Sequence, residues 1–371
     1  MSTPKDVRPA PTTPSQELGP QAALAGGPRL AAGDLVAGRL PRWGTWAVYG
    51  AAAVLVLALA AATSTNRLML IILGVIAAGI AVYAWSVAVE GRRKARDRTV
   101  TLTVTSAFAI AIAPLVSLLW TVVSRGAARF DGAFFTESAR NVVGAGGGAY
   151  HAIVGTLVIT LVTTAASVPI GVMAAIYLQE YGHGRLKRAL IFFVDVMTGI
   201  PSIVAGLFAY ALFAIFLGPG VRLGIVGAVA LSVLMIPIVV RSTEEMLKIV
   251  PDGLREASYA LGVPKWRTII SVVLPTALPG IVTGVMVAVS RVIGETAPLL
   301  ITTGTFSTVN WNPFTGRMPN LPVFAYDQYR NPGVPKGPYI DRAWAAALTL
   351  IIIVMLLNVL AGFVSRRKEA R

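Results

Sequence analysis

The sequence predicts an all-α integral membrane protein, a polytopic bundle of about eight transmembrane helices. Three observations carry that expectation. Charged residues make up 13% of the 371-residue chain, about half the roughly 25% usual in a soluble domain. Hydrophobic residues reach 55% and the mean hydropathy is +0.71, so the chain cannot show water a polar surface on every side. The apolar residues are also gathered into long runs with short basic clusters between them.

A bilayer core about 30 Å thick takes about 20 helical residues, each rising about 1.5 Å. The runs that reach this length lie over 43–62, 68–89, 102–123, 152–178, 189–217, 223–240, 269–301 and 344–364. Ahead of them, the tail over 1–38 is rich in Pro, Ala and Gly and has no early apolar core. It reads as a disordered cytoplasmic segment and not as a cleaved signal.

Orientation follows from Lys and Arg. Placing the N-terminus inside puts Arg92, Arg93, Lys94, Arg96 and Arg98 on the inner face. The same choice puts Arg185, Lys187 and Arg188, then Arg241, Lys248, Arg255, Lys265 and Arg267, and finally Arg366, Arg367, Lys368 and Arg371 there. The outer segments carry far fewer, so both termini are expected to be cytoplasmic. The net charge of +15 is therefore a property of membrane flanks and not of a nucleic-acid surface.

With no cysteine, disulfides, thiolate zinc sites and iron–sulfur ligation are excluded, and the two histidines, His151 and His183, are not motif-paired. No Gly-x-x-x-x-Gly-Lys-Ser/Thr loop occurs, so no ATP site of that kind is present. The glycine-dense stretch 144–148 reads as a flexible connection. The outer loop over 302–342 holds Asn310, Trp311, Asn312, Pro313, Phe314, Pro319, Asn320, Pro322, Pro332, Pro335 and Pro338. It suits either a docking surface for an external partner or a structured lid.

The inner loop between the sixth and seventh runs is the most informative. Asp252 is placed to cap a short helix through Leu261, Gly262 suits the left-handed position after it, and Pro264 pre-sets the first turn of a second helix. Leu254, Ala257, Ser258 and Leu261 share one face by helical spacing, a small apolar surface suited to a groove on another protein.

Within the membrane, Arg291 and Glu295 are four residues apart in the seventh run and are expected to share a helix face and pair. Each costs at least about 2.5–3.5 kcal/mol near mid-membrane. The Arg291 fork matches oxyanion oxygens, so the pair either lines an anion path or locks two helices together. Asp195 precedes an interruption at Gly199, Pro201 and Ser202, where Ser202, neighbouring helices or water must satisfy the freed backbone. Asp195 is expected to pair with Arg291, to pair with a basic group of a partner subunit, or to brace the subunits.

Glu256-Ala257-Ser258-x-x-x-Gly262, followed after nine residues by Val272-x-Leu274-Pro275, resembles the EAA loop of ABC importer permeases. Their usual pattern is Glu-Ala-Ala-x-x-x-Gly-x9-Ile-x-Leu-Pro, and Ser258 and Val272 are small departures from it. Further stretches are similar to the phosphate-importer permeases of PstA type: Ala152 to Leu157, Ile176 to Tyr181, Asp195 to Phe208, Arg291 to Pro298 and Asn312 to Phe314. The resemblance covers roughly 140–365 and implies a type I importer permease core over 151–365, with the loop at about 244–275. Residues 101–150 would supply a first core helix and outer loop, and 39–100 two additional helices outside that core.

The resemblance also implies a plasma-membrane permease that pairs with a PstC-type permease, two ATP-binding subunits and an external phosphate-binding protein. This chain would bind no cofactor and catalyse nothing, ATP and magnesium being used by the partners. A self-sufficient secondary anion transporter is the competing expectation, but it needs no docking loop and often shows inverted repeats. An ABC permease for another oxyanion, such as sulfate, molybdate or phosphonate, would satisfy Arg291 equally well.

Overall fold

Lipid offers the backbone no hydrogen bonds, so apolar runs close theirs within helices. A computed structural model describes residues 43–62 and 67–369, and the expected tail over 1–38 lies outside the described residues. No strand occurs among the described residues. Among the described residues, six helices are long and apolar enough to cross a membrane, or seven if one bent pair counts as a single span.

The chain divides into two compact units, Met1–Pro114 and Leu115–Arg371. The first contains the hairpin of α1 (Gly44–Ala62) and α2 (Arg67–Glu90), whose axes close in at Gly74 against Val56, and the opening of α3 (Arg92–Gly126). Gly91 turns the chain in left-handed backbone at φ +84°, and Glu90 on one side of it accepts from Arg98 on the other at 2.8 Å.

The second unit starts with the end of α3 and the short α4 (Gly132–Thr136), which Asp131 caps by accepting from the Phe134 amide. Helix α5 (Tyr150–Ile176) runs on through a π-helical turn, Tyr177–Tyr181. Then come α6 (Gly184–Gly199), α7 (Ser202–Leu217), α8 (Gly224–Ile249), α9 (Asp252–Ala260) and α10 (Lys265–Thr268). Helix α10 continues through a second π turn, Ile269–Val273, into α11 (Leu274–Val292). Short α12 (Ala297–Thr302) and α13 (Leu321–Arg330) precede the long α14 (Lys336–Glu369).

Helix α8 is the axis of this unit, with α5, α7 and α11 packed along it. Ile159, Leu231, Met235, Val239, Val289, Leu299 and Met318 form the middle of the core. Ala175, Leu178, Leu247, Val273 and Ile281 fill the end that carries α9, and Phe134, Leu321, Phe324 and Ala345 the opposite end. Helix α11 lies so close to α8 that a methyl on Gly284 would sit 2.6 Å from the Ser242 Cβ, and Gly280 faces Met246. Such small-residue seams let membrane helices approach backbone to backbone.

Two sequence expectations are corrected here. The run over 269–301 is not one helix: α11 stops at Val292, and the chain turns through Gly294 before α12 begins. Glycine has poor helix propensity, and Pro298 in the first turn starts the next helix. The 144–148 stretch is also anchored. Arg342, 1% exposed, donates from Nη1 to the carbonyls of Gly144 and Gly146 at 2.8 Å each, and Arg129 donates to that of Gly147 at 2.7 Å. The left-handed backbone at Gly144, Gly146 and Gly147 turns these carbonyls towards the two guanidinium groups.

The 302–342 loop is structured. Asn320 caps α13 through the Val323 amide and donates to Thr303 Oγ1 at 2.9 Å, while the Leu321 amide donates to Thr156 Oγ1 of α5 at 2.7 Å.

Candidate functional site: the docking loop and the intramembrane charges

Helix α8 ends at Ile249 because Val250, ahead of Pro251, is held extended at ψ 122°. Pro251 itself occupies the N-cap of α9, with φ −59° and ψ 137°. Asp252 is therefore the first helical residue and not the cap; its carboxylate accepts from Arg255 Nη1 at 3.0 Å. At the other end Leu261 is the C-cap and Gly262 follows it at φ +76°. The Gly262 amide bonds the Tyr259 carbonyl at 2.9 Å and the Val263 amide bonds that of Ser258 at 3.2 Å. This pair of bonds is a Schellman closure. Pro264 lies at the N-cap of α10, one position before the expected first turn, and its carbonyl accepts from the Arg267 and Thr268 amides.

A side chain at position 262 meets open space, so only the backbone penalty applies. Gly262→Ala is expected to cost about 1–2 kcal/mol. Hydrogen exchange at the Val263 amide should rise by about 5–30-fold, and unchanged exchange would show that the turn tolerates a Cβ.

Glu256, Ala257, Leu254 and Leu261 are exposed on α9, Leu261 at 84%, and Trp266 adds an exposed indole beside them. Ser258 departs from the expected face. It is buried, and its hydroxyl lies 2.8 Å from Thr268 Oγ1, tying α9 to α10. Its one-position offset from Ala257 swings it inward. Leu274 is half-buried at the head of α11 and Pro275 is exposed beside it. The π turn includes Ser271, whose carbonyl a proline four residues on would crowd in a regular helix.

Arg255, placed by sequence only among the basic residues of the inner face, turns inward, and Lys265, though exposed, reaches the same residue. Arg255 pairs with Glu180 of the first π turn at 3.0 Å, both side chains nearly buried, and the Lys265 ammonium donates to the Glu180 carbonyl. No local signal points to these contacts, which close between residues 75 and 85 positions apart.

The charges expected within the membrane are arranged differently from that expectation. Asp195 on α6 pairs with Arg241 of α8, within this chain, and not with Arg291. Arg241 also donates to Glu244 at 3.0 Å, and Lys248 donates to Glu244 at 2.9 Å. Beyond Asp195 the chain breaks at Gly199–Ile200–Pro201, and α6 and α7 meet at 109°. Ser202 does not cap the break. The Pro201 carbonyl does that work, accepting from the Val204 and Ala205 amides at 2.9 and 3.3 Å.

Arg291 and Glu295 do not share a helix face, since α11 ends between them, and no ion pair joins them among the described residues. Arg291 is exposed and Glu295 half-buried. Counting equal rise in both directions from the Gly284–Ser242 contact puts Arg291 level with Met235, near the middle of the 26-residue α8.

Residues 167–371 match the family described as the binding-protein-dependent transport system inner membrane component, and the chain is accordingly a multi-pass inner-membrane permease of the ABC importer class. The phosphate transport system permease protein PstA 1 of Mycobacterium tuberculosis is 47% identical over 262 residues, covering 69% of this chain and 85% of that protein. PstA of Yersinia pestis is 40% identical over 257 residues, covering 69% and 85%. A chain of a bacterial ABC transporter involved in alginate import shares the fold, with a TM-score of 0.51 at 13% identity, over 73% of this chain and 96% of that one. The chain belongs to the PstA branch of this permease family.

Proposed function

We propose that this permease carries inorganic phosphate into the cell as one of two membrane subunits of an ATP-driven importer. The observation that carries the reading is the 47% identity, over 85% of its length, to a permease named for phosphate transport. The exposed apolar face of α9 supports docking on an ATP-binding subunit at the cytoplasmic face, with both termini on that side. Two such subunits would use ATP and magnesium, a PstC-type permease would complete the path, and the structured loop over 302–342 would meet an external phosphate-binding protein. Arg291 is the residue proposed to meet the anion, as an exposed guanidinium level with the middle of α8. Glu295 and the Asp195–Arg241 pair would limit how tightly the anion is held, because a conducting site must also release.

The test is a tagged purification from the native membrane in mild detergent, with every co-purifying chain identified by mass spectrometry. An ATP-binding subunit and a second permease are expected, and uptake of labelled phosphate then checks the cargo. Recovery of the chain alone, stable and monodisperse, would favour a secondary transporter.

A further inference from the structure

Arg255 lies on the docking helix by sequence, yet its side chain points back into the bundle and is 12% exposed. A guanidinium has five N–H donors, and here all of them are used. Nε and Nη2 both donate to Glu180 Oε1, at 3.2 and 3.0 Å. Nη2 also reaches the Leu247 carbonyl at 3.0 Å, and Nη1 reaches the Val250 carbonyl at 2.7 Å and Asp252 Oδ1 at 3.0 Å. One side chain of α9 thus grips the end of α8 and the end of α5 together. Glu180, its acidic partner, is 6% exposed.

Glu180 is held a second time. The Lys265 ammonium donates to its main-chain carbonyl and lies 5.0 Å from the Tyr181 ring centroid. The α9 and α10 sides of the Gly262 turn therefore hold one residue from two directions, by its carboxylate and by its carbonyl. A buried, hydrogen-bonded pair of this kind is costly to break because either partner alone is left uncompensated. Helix α5 then runs the depth of the bundle to Thr156, which holds the structured loop at the opposite end through the Leu321 amide.

We infer that Glu180 is a transmission residue: through Arg255 and Lys265 it makes α5 follow the docking helix, so that movement of α9 reaches the far end of the bundle. The inference rests on the docking reading of α9 and adds the element that receives its motion. Glu180 and Arg255 are spent on each other and on main-chain carbonyls of this chain, so they act by position, and a merely structural role would leave the coupling ratio unmoved.

The experiment uses the full transporter in proteoliposomes with its external binding protein, reading labelled phosphate imported per ATP hydrolysed and the ATP-binding subunit retained. Glu180→Ala is expected to keep that subunit bound and hydrolysing while phosphate moved per ATP falls by about tenfold. Because this chain has no cysteine of its own, a Glu180→Cys, Arg255→Cys double variant can be bridged with a short bifunctional thiol reagent, with the unaltered chain treated in the same way as the control for thiols elsewhere in the transporter. Bridging should restore the ratio that the unbridged double variant has lost. The inference is overturned if Glu180→Ala leaves the ratio unchanged, if it releases the ATP-binding subunit, or if bridging restores nothing. Failure of the unaltered chain to retain an ATP-binding subunit would instead overturn the docking reading itself.

Discussion

Glu256→Lys is expected to abolish phosphate uptake while the chain remains inserted and folded. Glu256 is exposed on α9 and makes no side-chain bond among the described residues, so its replacement disturbs nothing inside the subunit. At a docked interface the same change inverts a charge where a partner group has been matched to a carboxylate. Truncating one member of an interfacial charge pair costs about 2–5 kcal/mol, and reversal adds repulsion. Binding of the ATP-binding subunit should weaken by at least about 30-fold at the low end of that range. Co-purification and uptake should fall together, with the chain present in the membrane at its usual level. Normal uptake in this variant would remove the coupling role of α9.

The second large effect belongs to Arg291→Ala. An exposed guanidinium at mid-bundle cannot face hydrocarbon without a cost of at least about 2.5–3.5 kcal/mol, so its surroundings in the assembled transporter are aqueous or proteinaceous. As an anion contact it supplies charged hydrogen bonds worth about 1.5–3 kcal/mol. Phosphate transport should therefore fall by about 10–150-fold, while retention of the ATP-binding subunit is untouched because Arg291 lies far along α11 from α9. Uptake with unchanged apparent affinity and rate would make Arg291 a structural residue.

Where the sequence was legible, the signal was local. Gly262 announces a left-handed turn, Gly199 and Pro201 a break, and runs of apolar residues the helices, because each acts on its own backbone. Asp195 shows what is lost. Its partner Arg241 is 46 residues away, and nothing in either neighbourhood distinguishes it from Arg291 as a counter-ion. The same holds for Arg255 and Glu180. Hydropathy also ran on across Gly294, hiding the end of α11, since a single turn of polar or flexible chain barely lowers an average over an apolar stretch. Helix spacing alone puts Ser258 on the solvent face; its inward turn depends on Thr268, which belongs to the next helix. The roles proposed for Arg291 and Glu295 rest on the assembled transporter, which no single chain encodes.

The seam between α8 and α11 sets a tolerance for everything mounted on it. At Gly284 any added side chain would meet the Ser242 Cβ and Oγ, each at 2.6 Å, so the approach of the two helices there is set by one hydrogen facing one small side chain. Arg291 lies two turns further along the same stripe of α11. Its distance from α8 is thus gauged by the missing methyl on Gly284 and not by any group that it touches itself.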